Sequence, residues 1–187
     1  HSPEGNISLS IAFADRELEV PISIATGILV KDALTEVFNL DSIKLKWPND
    51  LVFDKKKIGG ILVEKEVFSN YTKAIVGIGI NLELDQKESW WGDFGDLNGK
   101  NLRDTIINKI LVKFEALFRD GLNDWKNLWN QSCIHNDAII SVARNDEIIK
   151  GKYLGINDSG ELLLKKEIGE IISFSSGEVS IKGIYNK

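Results

Sequence analysis

The sequence lacks any apolar run of the ~18–20 residues that a bilayer-spanning helix needs. Residues 1–10 lack the basic start and apolar block of a secretory leader. There is one cysteine, Cys133, so an internal disulfide is excluded; a single thiol fits a reducing, cytoplasmic setting. No nucleophile motif with a partner histidine surrounds Cys133, and it reads as a half-buried thiol. An excess of basic charge is also missing. The 23 Lys and Arg stand against 28 Asp and Glu, giving −5 and a pI of about 5.2, which argues against broad electrostatic binding to nucleic acid. The runs Lys55-Lys56-Lys57 and Lys165-Lys166 are short and read by default as solvated turns. What is present is 187 residues, 43% hydrophobic and 27% charged. That composition belongs to a globular protein with room for one ordinary domain and a small second one.

Ile7–Phe13 alternates apolar and small polar residues, the pattern of a half-buried strand. A core strand this near the first residue leads us to expect sequence upstream of His1. Pro21 then opens a stretch in which Ile24, Ile28, Leu29, Ala33, Val37 and Phe38 recur at helical spacing, which predicts a buried helix over 22–39. Residues 43–47 alternate again as a strand, and Pro48-Asn49-Asp50 breaks it. Leu51–Phe53 and Lys57–Glu64 read as a hairpin around Asp54–Lys56, and 73–82 as a further apolar strand. Residues 83–100 mix acidic residues with Trp90, Trp91 and Phe94, and read as a long loop of the kind that is functional or disordered. Helical spacing returns from Leu102 to Phe118 and again from Leu122 to Trp129. After about residue 136 come five short strands, with turn signals at Asn145-Asp146, Asn157–Gly160 and Ser176-Gly177, the pattern of a small β-barrel. The predicted organisation is an α+β domain over 1–136 and a compact β module over 137–187.

Lys46–Asp50 and the segment Lys57–Glu64 carry most of the chemistry. A strand ends in an aromatic and a proline, leaving Asn49 and Asp50 at the sheet rim. An antiparallel return of seven residues sets Lys57 near Asp50, and Gly59 and Gly60 remove side chains from the neighbouring backbone. A cation, a carboxylate and bare main chain suit a polyanionic ligand with a metal. The same spacing also describes a surface salt bridge beside a glycine bulge.

Lys46-Trp47-Pro48-Asn49-Asp50 with Lys57 and Gly60–Glu64 resembles the central signature of the biotin–protein ligases. Three further segments match in order. Ser2–Ser10 is similar to the family's Ser-Pro-x-Gly-Asn strand opening. Gly77–Asn81 is similar to its Gly-x-Gly-x-Asn strand. Gly151–Gly160 with Ser176–Ser180 resembles its C-terminal SH3-like module. The resemblance implies a class II synthetase-like core, a mixed sheet with helices on one face, followed by an SH3-like β-barrel. It implies an ATP-dependent enzyme that forms biotinyl-5′-AMP and passes biotin to a lysine of the biotin carboxyl carrier protein of acetyl-CoA carboxylase or a related carboxylase. By the same resemblance Lys57 bridges the biotin carboxylate and the phosphate oxygens, and Asp50 either orients the adenylate or accepts the proton of the attacking amine. Gly59, Gly60 and Gly79 would line the biotin and ATP site. Asn81 falls in the nucleotide region and would help hold Mg2+. Asn49 shapes the pocket wall, and Trp47 either shares that wall or packs in the core. Trp90 and Trp91 either cover the adenine or pack beneath the loop. Lys182 would face the nucleotide from the C-terminal module, where Glu178 is either structural or functional. Relatives pair through central-sheet edges, so a homodimer is compatible with the resemblance; no membrane or nucleic-acid partner is expected.

The family's Gly-Arg-Gly-Arg-x-Gly-Arg segment belongs just before Ser2, and the sequence opens at His1. With that segment missing, the resemblance leaves two alternatives to a biotin ligase: a non-catalytic binding fragment of the fold, or a relative that handles lipoate or octanoate.

Overall fold

The computed structural model describes residues 5–15, 18–85, 88–144, 147–176 and 179–182. Ser2–Glu4 of the strand-opening motif, the turn Asn145-Asp146, Gly177-Glu178, residues 183 and 184 and the side chain of Lys182 lie outside the described part. Ten strands and three α-helices follow in the order β1 (Ile7–Asp15), α1 (Ile22–Phe38), β2 (Lys44–Lys46), β3 (Asp50–Phe53), β4 (Lys56–Val67), β5 (Thr72–Ile80), α2 (Arg103–Asp120), α3 (Trp125–Ser132), β6 (Ile139–Arg144), β7 (Glu147–Ile156), β8 (Leu162–Lys165), β9 (Ile171–Phe174) and β10 (Val179–Lys182). No helix of the described residues is long and apolar enough to cross a membrane. The loop expected over 83–100 contains two short 3-10 turns, at Gly95–Leu97 and Gly99–Leu102.

Strands β1 to β5 form a sheet in the order β1-β5-β4-β3-β2, with every neighbouring pair antiparallel. The resemblance implied a mixed sheet. Among the described residues, parallel pairing is confined to two isolated bridges, Leu45 with Cys133 and Lys57 with Trp91. The reason is local: β2 to β5 are joined by short reversals, which permit only antiparallel pairing. Strands β6 to β10 form a second antiparallel sheet in the order β10-β6-β7-β8-β9, wrapped around Val142, Tyr153, Leu162, Leu164 and Phe174.

Helix α1 packs against the first sheet and against both other helices, which is why most of its first half is apolar and buried: Ile22, Ile24, Ala25, Gly27, Ile28, Leu29 and Val30. It ends at Asn39, whose left-handed conformation returns its N–H to the Thr35 carbonyl. At Gly27 the Trp129 ring, Leu45 and Ile61 come close enough to pack against the bare helix backbone. The helices cover one face of the sheet only. On that face Ile7, Leu45, Leu51, Ile61, Ile78 and Ile80 are buried.

The β3–β4 hairpin turns on Asp54 and Lys55, both at positive φ (48° and 58°), the two-residue geometry that matches strand twist. The register then slips between Leu51 and Val52. Asp50 pairs with Gly60 and Leu51 with Gly59, but Val52 pairs with Lys57. Ile58 is thus the extra residue of a β-bulge. Gly59 faces the helix side, where an added Cβ would sit 2.4 Å from the Gly79 carbonyl oxygen and 3.1 Å from Leu51 Cδ1. Its missing side chain permits close packing beneath the sheet.

The second sheet is tied to the first through β2. The Ile134 N–H donates to the Leu45 carbonyl (2.8 Å). The Trp47 indole, 1% exposed, donates to the Gly160 carbonyl (3.0 Å). The Trp129 indole donates to the Tyr153 hydroxyl (3.0 Å). Cys133 lies fully within this junction, more deeply than its sequence context suggested. Burial raises both the Cys133 thiol and the Tyr153 hydroxyl, so both stay protonated. His135 is 1% exposed, and its Nε2 has no hydrogen-bond partner. Burial first, and the Lys46 charge second, push its imidazole down to about 4.

Two predictions follow from this packing. The unfolded chain protonates His135 near the ordinary value of about 6.5, whereas the folded chain resists until about 4. The neutral imidazole therefore contributes fully above pH ~6.5, and up to about 3 kcal/mol is lost as pH falls through that window. Urea unfolding between pH 6.5 and 4.5 should show this decline, and His135→Phe should flatten it; an unchanged slope would contradict the assignment. At neutral pH, Gly59→Ala should cost about 1–3 kcal/mol through its backbone clash. Gly77→Ala, whose nearest atoms lie at 3.7 Å, should cost less than about 1 kcal/mol; equal losses would refute this reading of Gly59.

Candidate active site

The face of the first sheet away from the helices carries a continuous row of paired residues. Ser8 on β1 pairs with Gly79 on β5, Gly79 with Gly60 on β4, Gly60 with Asp50 on β3, and Asp50 with Lys46 on β2. Because paired residues in a sheet point to the same side, hydroxyl, bare backbone, carboxylate and ammonium lie in line. The next row repeats the theme with Ser10, Gly77 and Leu62. The serines, the glycines and Leu62 of these rows, with Asn49, line an open trough of about 310 Å³, and Asp50, paired with Gly60, stands beside it. The glycines form its floor, and Leu62, 62% exposed, gives it an apolar wall.

The bulge brings Lys57 to this face. In a regular strand, residues three apart point to opposite sides; with Ile58 inserted, Lys57 and Gly60 share one. A Cβ at Gly60 would lie 3.6 Å from Lys57 Nζ. The Lys57 ammonium is 2.5 Å from Asp50 Oδ1, and the Lys46 ammonium is 3.5 Å from Asp50 Oδ2. The side chains of Lys46 and Asp50 are 12% and 13% exposed, that of Lys57 32%. Burial lowers the Lys46 ammonium below the ordinary lysine value; the Asp50 charge opposes this, and the Lys57 charge adds to it.

The loop after β5 holds the backbone of Lys57. Where β5 ends, Lys57 N–H donates to the Trp90 carbonyl (2.9 Å) and Gly92 N–H to the Lys57 carbonyl (2.8 Å). Asn81 fastens the same loop, its amide nitrogen donating to the Gly92 carbonyl (3.1 Å). Asp93 accepts from the N–H groups of Leu84 and Gly95. At the start of β1, the buried Asn6 accepts from the N–H groups of Leu82 and Glu83. The three aromatics of the loop part company. Phe94 is buried, stacked on Phe38 (4.2 Å between centroids), while Trp90 and Trp91 are half-buried in an edge-to-face pair at 5.4 Å.

Of the residues singled out in the sequence, Asn49, Gly60 and Gly79 line the trough, Lys57 and Asp50 stand beside Gly60 at its edge, and Trp90 and Trp91 adjoin the Lys57 backbone. Asn49 is pinned there by Ile61, accepting its N–H (2.9 Å) and donating from its side-chain amide to its carbonyl (2.8 Å). Trp47 and Gly59 do not converge: the first is committed to the junction between the sheets, the second to the helix side. Lys182 lies on β10, its side chain outside the described part. Asn81 uses its amide to hold the loop, and the described residues contain no group of three or more His, Cys, Asp or Glu that would hold a metal. Sequence reasoning placed Ser8, Ser10, Gly77 and Lys46 within matched motifs but gave none of them a role. For the first three the signal was the matched alternation of small residues on β1 and β5; for Lys46 it was its place at the head of the Lys-Trp-Pro-Asn-Asp segment.

Comparison with known proteins agrees with this architecture. The model of the biotin/lipoate A/B protein ligase family matches residues 1–81, and that of the biotin protein ligase C-terminal domain matches 139–182. The bifunctional ligase/repressor BirA of Salmonella typhimurium is 27% identical over 173 residues, covering 87% of this chain and 53% of that protein. Biotin–protein ligase 2 of Arabidopsis thaliana is 25% identical and covers 87% of this chain and 55% of its own length. The chain thus spans about half the length of the curated relatives it matches. A solved biotin protein ligase from Aquifex aeolicus has the same fold, with a TM-score of 0.73 at 24% identity over 96% of this chain and 78% of that one. The two matching models assign residues 1–81 to the biotin/lipoate A/B protein ligase family and residues 139–182 to the biotin protein ligase C-terminal domain.

Proposed function

We infer that this chain carries the ligand-handling centre of an ATP-dependent biotin–protein ligase, which forms biotinyl-5′-AMP and transfers biotin to a lysine of a biotin carboxyl carrier domain. The observation that carries this reading is the position of Lys57, whose ammonium stands over the bare backbone of Gly60 at one end of a trough with an apolar wall. Joining a carboxylate to an α-phosphate brings two anions together. A preorganised cation at that point offsets their repulsion without reorganising as the bond forms, and lysine supplies it as a compact point charge. The trough runs from Ser8 and Ser10 to Gly60, beside which the Asp50–Lys57 pair stands. It accommodates a ligand with a polar head, an apolar stem and an anionic end. Asp50, beside Lys57, is placed to orient the adenylate or to accept the proton of the attacking lysine. Trp90 and Trp91 flank the same end, where an adenine ring would stack and water would be excluded. No step here passes through a metal held by the protein.

The relatives support the choice of ligand. The Aquifex aeolicus enzyme has been solved in complex with biotin and ATP, and that of Leishmania major with biotinyl-5-AMP. The first family model spans biotin and lipoate ligases alike; the match to a biotin protein ligase C-terminal domain favours biotin over lipoate or octanoate. The test is ATP-dependent transfer of labelled biotin to a carrier domain, with lipoate as competitor. Lys57→Ala should lower adenylate formation by at least about 100-fold while leaving the urea midpoint within the range of a surface change. Undiminished adenylate formation in that variant would remove Lys57 from the chemistry. Transfer of lipoate in preference to biotin would redirect the assignment within the family.

A further inference from the structure

The ligase reading asks Lys57 to meet an incoming anion, yet its ammonium lies 2.5 Å from Asp50. Asp50 is only 13% exposed, and withdrawing a counterion from a poorly solvated carboxylate is strongly unfavourable. A lysine shared with a single carboxylate in this setting would be held back from a ligand by its own partner. The structure supplies a second ammonium. Lys46 is paired with Asp50 across β2 and β3, so both side chains emerge on the trough face, and Lys46 Nζ reaches the other carboxylate oxygen, Oδ2, at 3.5 Å. Around Lys46 the charged or titratable groups on the page are Asp50 from β3, Lys57 from β4 and the imidazole of His135 from the connection to the second sheet.

We propose that Lys46 is a positioning residue that keeps Asp50 paired while Lys57 turns toward the anionic end of a ligand. Lys57 leaves Oδ1 while Lys46 stays on Oδ2. The mutual repulsion of the two lysines favours the same movement, since moving Lys57 toward a ligand separates like charges. Lys46 acts only through Asp50 and touches neither ligand nor reacting atoms. The identity of the ligand rests on the ligase reading; the sharing of Asp50 does not.

The experiment is calorimetric titration with biotinyl-5′-AMP of the unaltered chain and of Lys46→Met, Lys46→Arg, Asp50→Asn and the double variant Lys46→Met/Asp50→Asn, with Lys46→Gln in reserve should the methionine variant fail to fold. Lys46→Met should weaken binding by about tenfold or more, and Lys46→Arg by no more than about threefold. The double variant should recover most of the loss, because no carboxylate then competes for Lys57. A merely structural Lys46 would show no such recovery. Equal binding by Lys46→Met, or no recovery in the double variant, overturns the proposal. A second readout needs no ligand: the Lys57 side-chain NMR resonance should move in Lys46→Met, and an unmoved resonance also overturns it. If the unaltered chain does not bind biotinyl-5′-AMP while that resonance still moves, the ligase reading fails and the sharing of Asp50 stands.

Discussion

Between Leu51 and Val52 the pairing of β3 with β4 slips by one residue, and Lys57 changes sides as a result. Everything chemical about the open face depends on that slip. Without it Lys57 would point among the buried side chains beneath the sheet, and Asp50 would face the glycine floor without Lys57 beside it. A bulge is a weak place in a ladder, and this one is braced from several directions. The loop at Trp90–Gly92 holds both backbone groups of Lys57, and Asn49 bonds both backbone groups of Ile61. The absence of a side chain at Gly59 lets the Gly79 carbonyl come close. The long loop after β5 is thus part of the mechanism that aims the lysine, because it continues the sheet where β5 stops.

The electrostatics of the face follow from its geometry. At the trough β1 contributes hydroxyls and β5 and the glycines of β4 contribute bare main chain, while the charged cluster joins Lys46 of β2, Asp50 of β3 and Lys57 at the start of β4. The polarity of the trough therefore runs along the sheet, across the strands. Net charge says nothing of this: the protein is acidic overall, yet two ammonium groups flank one carboxylate where it would meet a ligand. Local arrangement outweighs global balance at distances well inside the ~8–10 Å screening length.

Much of this was legible in the sequence. Helical spacing placed α1 within a residue of its observed end, and the Lys-Trp-Pro-Asn-Asp segment with its glycine-rich return marked the correct hairpin. A glycine bulge was one of the two readings the spacing allowed, but its place at Ile58 and its effect on Lys57 were not legible, because period-2 reasoning puts Lys57 and Gly60 on opposite faces. Lys46 heads the Lys-Trp-Pro-Asn-Asp segment in the sequence, but its ion pair with Asp50 across β2 and β3 is a contact that spacing does not give. Trp47 finds its partner, the Gly160 carbonyl, 113 residues away, a distance at which spacing carries no information. The loop aromatics divided according to depth: Phe94 reaches Phe38 in the core, whereas the tryptophans are held near the surface by backbone pairing with Lys57.

The three-residue strand β2 has a double allegiance. Leu45 and Trp47, on either side of Lys46, are gripped by the C-terminal part of the chain through Ile134 and Gly160, while Lys46 between them reaches the other way to Asp50. One short segment thus belongs mechanically to the second sheet and electrically to the first. A swing of the C-terminal half that pulled on β2 through these bonds would draw the Lys46 ammonium away from the carboxylate it steadies. The tail of the molecule therefore serves as ballast for the charge arrangement at its centre, and rigidity there is a condition of aim.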